Sequence, residues 1–484
     1  MRGLARFMLG FGLLLASPAL AQTAAPPNGP PPGSVPLTLA EAVFLGLREN
    51  RAIRSEYLQR IADRFALRVA ERTFIPRLDV QAGASRARAI NNTTTQGNFG
   101  PVVTWDTPTG ARFQFSWLNA QNNPRGATRA GNSQLSFQVI QPLLAGGGVD
   151  FAMAPVRIAR ISERNAQLRI KGAVIDQITG IISAYRNLVQ AQEQLRIAGD
   201  SLRRARDLNE VNRVLIAAGR LAQIELIQSE TSIAQQELSL VAARNAAESA
   251  RLALLTLMAL DQGSRIWAMD RPAADSVQVD MARAVAVGLA TQPGYLQQLL
   301  AIEIGRINLD VARNQRLWDV SLVAGAGPQA QRVDLLNTIG ALGAVRSDFN
   351  IGLRVNIPLG QITREQGEVN ATVALRQTEL AADQARDRVR QQVEDAVRGV
   401  DAQRRQADLA KRARELTAQQ LQAELARLQA GRSSNFQVVS FQAALQQAES
   451  AELQAVIAYL NALTTLDQVL GTTLDTWRIE LNQN

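Results

Sequence analysis

The chain has 484 residues, and none of them is histidine or cysteine. That removes the commonest general base, the thiol nucleophile and the soft metal ligands together. It also leaves no disulfide to form. What remains with chemical capacity is carboxylate, arginine and two lysines, Lys171 and Lys411. Glu225 and Glu230 fall inside a helical pattern with no companion acid at a defined separation, which marks them as helix-face residues and not as an acid–base pair. Gly146-Gly147-Gly148 lacks the Gly-Lys-Ser/Thr that a phosphate-binding loop needs next, and reads as a strand-to-helix turn. The net charge of +9 would suit a polyanionic partner. The arginines, however, are interleaved with acids along helices, as with Arg203, Arg204 and Arg206 between Asp200 and Asp207. That is the pattern of a solvated face, so nucleic acid is not an expected partner. No enzymatic constellation emerges, and no catalytic residue, cofactor or metal is expected.

The informative spacing belongs to apolar residues. Phe349, Ile351, Leu353, Val355 and Ile357 alternate with Asn350, Gly352, Arg354 and Asn356, which predicts a strand with one apolar and one polar face. Pro358 and Gly360 punctuate it, and a helical pattern then runs to about Leu428. At 1.5 Å per residue such a helix is roughly 100 Å long. Val389, Val393, Val397 and Val400, then Leu421, Leu425 and Leu428, form its apolar stripe. It ends at Ala430-Gly431-Arg432-Ser433-Ser434, with glycine where a helix C-cap wants one. Asn435 to Leu470 supplies an antiparallel return helix.

The same object occurs earlier in the chain. Leu135, Phe137 and Val139 alternate with Ser136 and Gln138, Pro142-Leu143 matches Pro358-Leu359, and a helix is predicted from about Val149 to Leu215. Its stripe is Val174, Ile178, Ile181, Tyr185 and Leu188, its turn is Ala218-Gly219-Arg220, and its return helix runs from about Ala222 to Leu260. Upstream, Ala40, Ala42, Val43, Gly46 and Leu47 recur as Ala282, Ala284, Val285, Gly288 and Leu289. The strand Leu78, Val80, Ala82 recurs as Val320, Leu322, Ala324. The chain is therefore internally duplicated, each half reading helix, strand, strand, long helix, glycine turn, return helix.

Residues 1–21 read as a secretory signal peptide, with Arg2 and Arg6, an apolar run and Ala19-Leu20-Ala21 as the cleavage site. Residues 22–37 read as a Pro-rich linker. The first structural repeat is assigned to 38–270 and the second to 271–484. Thr38 and Glu41 form a capping box for a helix running to about Phe74. Asn91 to Gly100 reads as a polar loop and Thr107-Pro108-Thr109-Gly110 as a turn. The first half thus carries an inserted hairpin over 91–132, which the sequence does not place.

Two readings of the strands compete. A half-buried sheet on helices is the ordinary fate of such a pattern. A transmembrane barrel would put the apolar face in lipid and the polar face in water, with Trp105, Trp117, Phe113 and Phe349 on the lipid side. Four strands cannot close a barrel alone, so several subunits would be required. A soluble coiled-coil rod accounts for the helices and leaves the amphipathic strands unexplained.

The duplicated set resembles the TolC-like outer-membrane efflux protein family over nearly all of the mature chain. The resemblance rests on the helix starts Leu39 to Leu47 and Met281 to Leu289, the strand ends Gln141-Pro142-Leu143-Leu144 and Ile357-Pro358-Leu359, and the turns at Gly219 and Gly431. It implies an α+β fold: a homotrimer whose four strands per subunit build a twelve-stranded barrel in the outer membrane, continuing into a long periplasmic α-helical barrel. It implies a passive channel in the outer-membrane lipid, joined through a periplasmic adaptor to an inner-membrane transporter. The tips Gly219, Arg220, Gly431 and Arg432 are then the expected docking surface. Some family members carry aspartates six and nine positions after the second tip glycine. Here those positions are the uncharged Gln437 and Ser440, while Glu225 stands six after Gly219. Glu225, Gln437 and Ser440 are the candidate entrance residues. The alternative is a structural periplasmic coiled-coil or adaptor-like protein without a channel.

Overall fold

Thr38 opens the first helix as the sequence predicts: its backbone N–H donates to the Glu41 carboxylate (2.8 Å), and Glu41 N–H donates back to the Thr38 hydroxyl (3.3 Å). The computed structural model describes residues 33–48, 50–89, 92–124, 130–273, 275, 277–332, 348–357, 359–360 and 362–479. The expected signal peptide, most of the linker, Asn91 and Pro358 lie outside the described residues.

In chain order the elements are β1 (Val35–Leu37), α1 (Leu39–Arg48), α2 (Arg51–Glu71), β2 (Arg77–Ala89), β3 (Asn92–Asp106), β4 (Arg112–Pro124) and β5 (Ala130–Pro142). There follow α3 (Val149–Ala152), α4 (Ala154–Ala217), α5 (Ile224–Leu257), β6 (Ile266–Ala268), α6 (Met281–Thr291) and α7 (Pro293–Arg316). The chain continues through β7 (Asp319–Gly327), β8 (Gln329–Arg332), β9 (Asp348–Asn356), α8 (Ile362–Gln429), α9 (Asn435–Leu470) and α10 (Thr473–Thr476). The predicted helix to Phe74 is split, because Asn50 caps a second start by accepting from Ile53 N–H (3.0 Å).

The long helices α4 and α8 have 64 and 68 residues, about 100 Å each at 1.5 Å per residue. Their stability comes from packing along the stripe, as so Ala-, Gln- and Arg-rich a sequence requires. On α4, Val174, Ile178, Ile181, Ile182, Tyr185 and Leu188 are buried with Ala42 and Val43 of α1 and Leu254 and Leu255 of α5. On α8, Val389, Val393, Val397 and Val400 are buried with Ala284 of α6 and Tyr459 and Leu466 of α9. The repeat is visible at atomic level in two glycines. A Cβ on Gly46 would run into Ile181 Cδ1, and one on Gly288 would lie 3.0 Å from Val393 Cγ2. Each glycine lets a short helix lie directly on a long one.

Arg186 of α4 crosses between the repeats. Its Nη1 donates to Leu460 O (2.6 Å), Asn461 Oδ1 (3.2 Å) and Thr464 Oγ1 (2.7 Å) on α9. Burial pulls this guanidinium down to about 10.

The main sheet has the order β2-β3-β4-β5-β7-β9, with β8 continuing the path of β7 along β5 beyond Pro328. All neighbours are antiparallel. The fold class is the α+β arrangement expected, but the sheet is six strands wide and not four. The additional pair is the inserted hairpin. Asn91 to Gly100, expected as a loop, is instead strand from Asn92 onward, paired residue for residue with β2 from Ala89↔Asn92 to Arg77↔Thr104. The reason is tertiary: a continuous ladder with β2 outweighs the weak strand preference of Gln96, Gly97, Asn98 and Gly100.

Candidate channel wall and helical tips

Residues paired across an antiparallel ladder share a face, so the registers define the two sides of the sheet. One side carries Leu78, Val80 and Ala82 of β2, then Phe99, Val103 and Trp105 of β3. It continues through Phe113, Phe115 and Trp117 of β4 and Leu135, Phe137 and Val139 of β5. It ends on Val320, Leu322, Ala324 and Ala326 of β7, then Phe349, Ile351, Leu353 and Val355 of β9. Many of these apolar side chains are exposed in the protomer, Phe349 by 71% and Leu353 by 61%. An apolar face of this extent is not left to water.

The aromatic residues expected on the apolar face are there. Trp105 stacks on Phe113 with ring centroids 5.0 Å apart, at the helix-proximal end of the sheet, and its indole N–H donates to Phe74 O (2.9 Å). Trp117 donates to Ser133 Oγ (3.1 Å). Such amphipathic rings suit a membrane–water boundary.

The other side carries Arg77, Asp79, Gln81, Gln96, Asn98, Gln114, Ser116, Gln134, Ser136, Gln138, Ser321, Asn350, Arg354 and Asn356, interrupted by Val102, Leu118, Ile140 and Val323. At its helix-proximal end Asp106 accepts from Arg112 Nε (2.7 Å) and Arg77 Nη2 (3.2 Å). At the far end Gly83, Ser85, Gln96, Asn98, Leu118 and Asn122 line a concavity of about 900 Å³.

Both long helices start just below this sheet and end at glycine turns, which places both turns at the opposite end of the molecule. The turns are the same structure twice. Gly219 has φ +68° and Gly431 has φ +71°. Gly219 N–H donates to Ile216 O (2.9 Å) and Arg220 N–H to Leu215 O (2.9 Å). Gly431 N–H donates to Leu428 O (2.9 Å) and Arg432 N–H to Arg427 O (2.8 Å). This is the paired closure of a left-handed helix C-cap. Arg220 and Arg432 are exposed.

The two tips lie side by side, sharing a core of Leu208, Leu421, Leu428, Val438 and Leu445. They are also joined by a buried polar bridge that sequence reasoning missed. Asn212 and Asn435 are both fully buried. Asn212 Nδ2 donates to Asn435 Oδ1 (2.9 Å), and Asn435 Nδ2 donates to Glu225 O and Gln228 Oε1, each at 3.3 Å. Glu424 is buried beside the second turn, where it accepts from Arg427 (3.2 Å) and from the Ser433 hydroxyl. Of the entrance candidates, Glu225 is half-buried and held by its backbone to Asn435, while Gln437 and Ser440 are exposed on α9. Among the described residues no acidic cluster suited to a metal ion forms, and no helix is long and apolar enough to cross a membrane.

Residues 289–472 match the Outer membrane efflux protein family. No curated protein matches the chain. Its structure is similar to that of CusC, described for conformational changes accompanying folding and transmembrane channel formation, with a TM-score of 0.69 at 15% identity over 89% of this chain and 91% of that one. It is similar to the Campylobacter jejuni CmeC outer membrane channel (TM-score 0.68, 16% identity, 90% and 85% covered). It is likewise similar to the open state of the Neisseria gonorrhoeae MtrE outer membrane channel (0.66, 16%, 90% and 88%). Residues 289–472 thus carry the pattern of the Outer membrane efflux protein family, and the fold over nearly the whole described length is the one these outer membrane channel structures share.

Proposed function

We propose that this protein is an outer membrane efflux channel that acts as a homotrimer, its sheet in the outer membrane and its helices in the periplasm. Its tips dock a periplasmic adaptor and receive substrate from an inner-membrane transporter. The duct is passive, and the energy comes from the transporter.

The observation that carries this reading is how the sheet ends. β2 and β9 are the outer members of the sheet order. β2 leaves the helices and β9 returns to them, so β9 of one copy and β2 of the next can pair antiparallel like every other pair in the sheet. Beneath β2, α2 exposes Leu58, Ile61, Phe65 and Val69 at helical spacing. Beneath β9, α8 exposes Val369, Val373 and Leu380. Each unpaired edge therefore continues into an unpartnered apolar stripe, and the two flanks of one protomer fit as the two halves of a head-to-tail ring contact. Closure abolishes the open edges. A soluble rod would leave both stripes and the apolar sheet face in water.

Electron microscopy of the detergent-extracted particle tests this. A closed threefold particle with a membrane barrel and a helical stem is expected. A detergent-independent monomer or dimer would refute the duct and favour the coiled-coil alternative. Crosslinking from the tips to a periplasmic partner tests the docking role.

A further inference from the structure

We propose that the hairpin β3–β4 is part of the membrane wall, so that each protomer contributes six strands and the closed trimer is an eighteen-stranded barrel. This rests on the trimeric reading above and departs from the four strands per subunit that the resemblance implies.

Three observations carry it. First, β3 and β4 are interior members of the sheet. Their ladders to β2 and β5 are nearly unbroken, covering Arg77 to Ala89 on one side and Arg112 to Asn122 on the other. Nothing hangs the hairpin off an edge. Second, the two strands have 15 and 13 residues, enough to cross an outer membrane at the roughly 9–11 residues a tilted strand needs. Third, both carry the amphipathicity of the rest of the sheet in the same register. Phe115 lies in one row with Phe137, Ala326 and Phe349, and Gln114 lies in one row with Gln138, Gly325 and Asn350. A hairpin standing above the membrane or plugging the lumen would have no reason to keep Phe99, Val103, Phe113, Phe115 and Trp117 on the common apolar side.

Strand direction adds a constraint. Inserting two strands keeps β2 and β9 in opposite directions, so a ring of six-stranded protomers still closes antiparallel. One extra strand would have prevented closure. Barrel diameter grows about linearly with strand number, so eighteen strands give roughly one and a half times the diameter of twelve. The barrel is then wide relative to the helical end, and discrimination among solutes falls to the tips.

The chain's lack of cysteine permits a direct test in the intact protein. Four single variants, Gln114→Cys, Phe115→Cys, Asn350→Cys and Phe349→Cys, are treated in membranes with a charged, water-soluble thiol reagent. Labelling at least tenfold faster for Gln114→Cys than for Phe115→Cys, matched by the same ratio for Asn350→Cys over Phe349→Cys, is the expected result. Discrimination at 349 and 350 with equal fast labelling at 114 and 115 would overturn the proposal while leaving the channel reading intact. No discrimination at either pair would sink the membrane barrel itself. A cross-section of the assembled particle should show eighteen strands, and twelve would refute the inference without touching the trimer.

Discussion

Replacing Leu353 by arginine separates lipid from water on the apolar side of the sheet. Leu353 sits in β9 opposite Leu322, and its side chain is 61% exposed in the protomer, so it contributes little to the protomer's own packing. The cost of a charge there is set by whatever medium covers that face. In water, an exposed substitution costs within about 0.5 kcal/mol. In the hydrocarbon of an outer membrane, arginine near the midplane costs about 2–4 kcal/mol. At about 1.4 kcal/mol per tenfold, that is roughly a 30- to 700-fold shift against insertion for each subunit. The matched control is Asn356→Arg, three residues on and on the polar side opposite Asp319. There the same charge meets water and an acid, and assembly should be unchanged while conductance alters. The readout is the fraction of each variant recovered from outer membranes as a heat-modifiable oligomer. Equal recovery of Leu353→Arg and Asn356→Arg would refute the assignment of the apolar side to lipid.

Exchanging both tip glycines, Gly219→Val with Gly431→Val, places branched side chains at φ values of +68° and +71°, a strain of about 1–2 kcal/mol at each turn. Oligomers should still form, while export and crosslinking to a periplasmic partner should be lost; full export would remove the docking role. Asn435→Ala leaves Asn212 buried without its partner, and should cost about 1–3 kcal/mol, seen as faster proteolysis at the tips with the sheet still protected. Arg186→Ala removes three bonds between α4 and α9 and should lower the stability of the helical part by about 1.5–3 kcal/mol in thermal melts.

The elements legible in the sequence were those whose burial repeats along the chain. The stripe Val389, Val393, Val397, Val400 identifies α8 because every third or fourth position meets the same core. The alternation from Phe349 to Val355 identifies β9 because apolar and polar residues fall on opposite sides of the sheet. β3 was not legible over Asn92 to Gly100, since Thr, Gln, Gly and Asn at those positions are also the residues of loops. What makes that stretch a strand is its partner β2, a fact about the ladder and not about composition. The available signal was the β-branched run Thr93-Thr94-Thr95 followed by Val102-Val103-Thr104. Asn212 and Asn435 were missed for a related reason. A polar residue on a helix reads as a solvent face, and here its hydrogen-bond partner lies 223 residues away.

Duplication explains why so much of the molecule comes in pairs, and for that reason the unpaired features bear most on function. Gly46 and Gly288 solve one packing problem twice, and Gly219 and Gly431 close one turn twice. Structural necessity accounts for both pairs. The hairpin β3–β4 has no counterpart between β7 and β9 among the described residues. At the other end, Glu225 has no acidic counterpart at Gln437. Its backbone is fixed by Asn435 of the opposite tip, which couples the position of that charge to the packing of both tips. One repeat thus supplies the hairpin and Glu225, while the other contributes the asparagine that holds the Glu225 backbone in place.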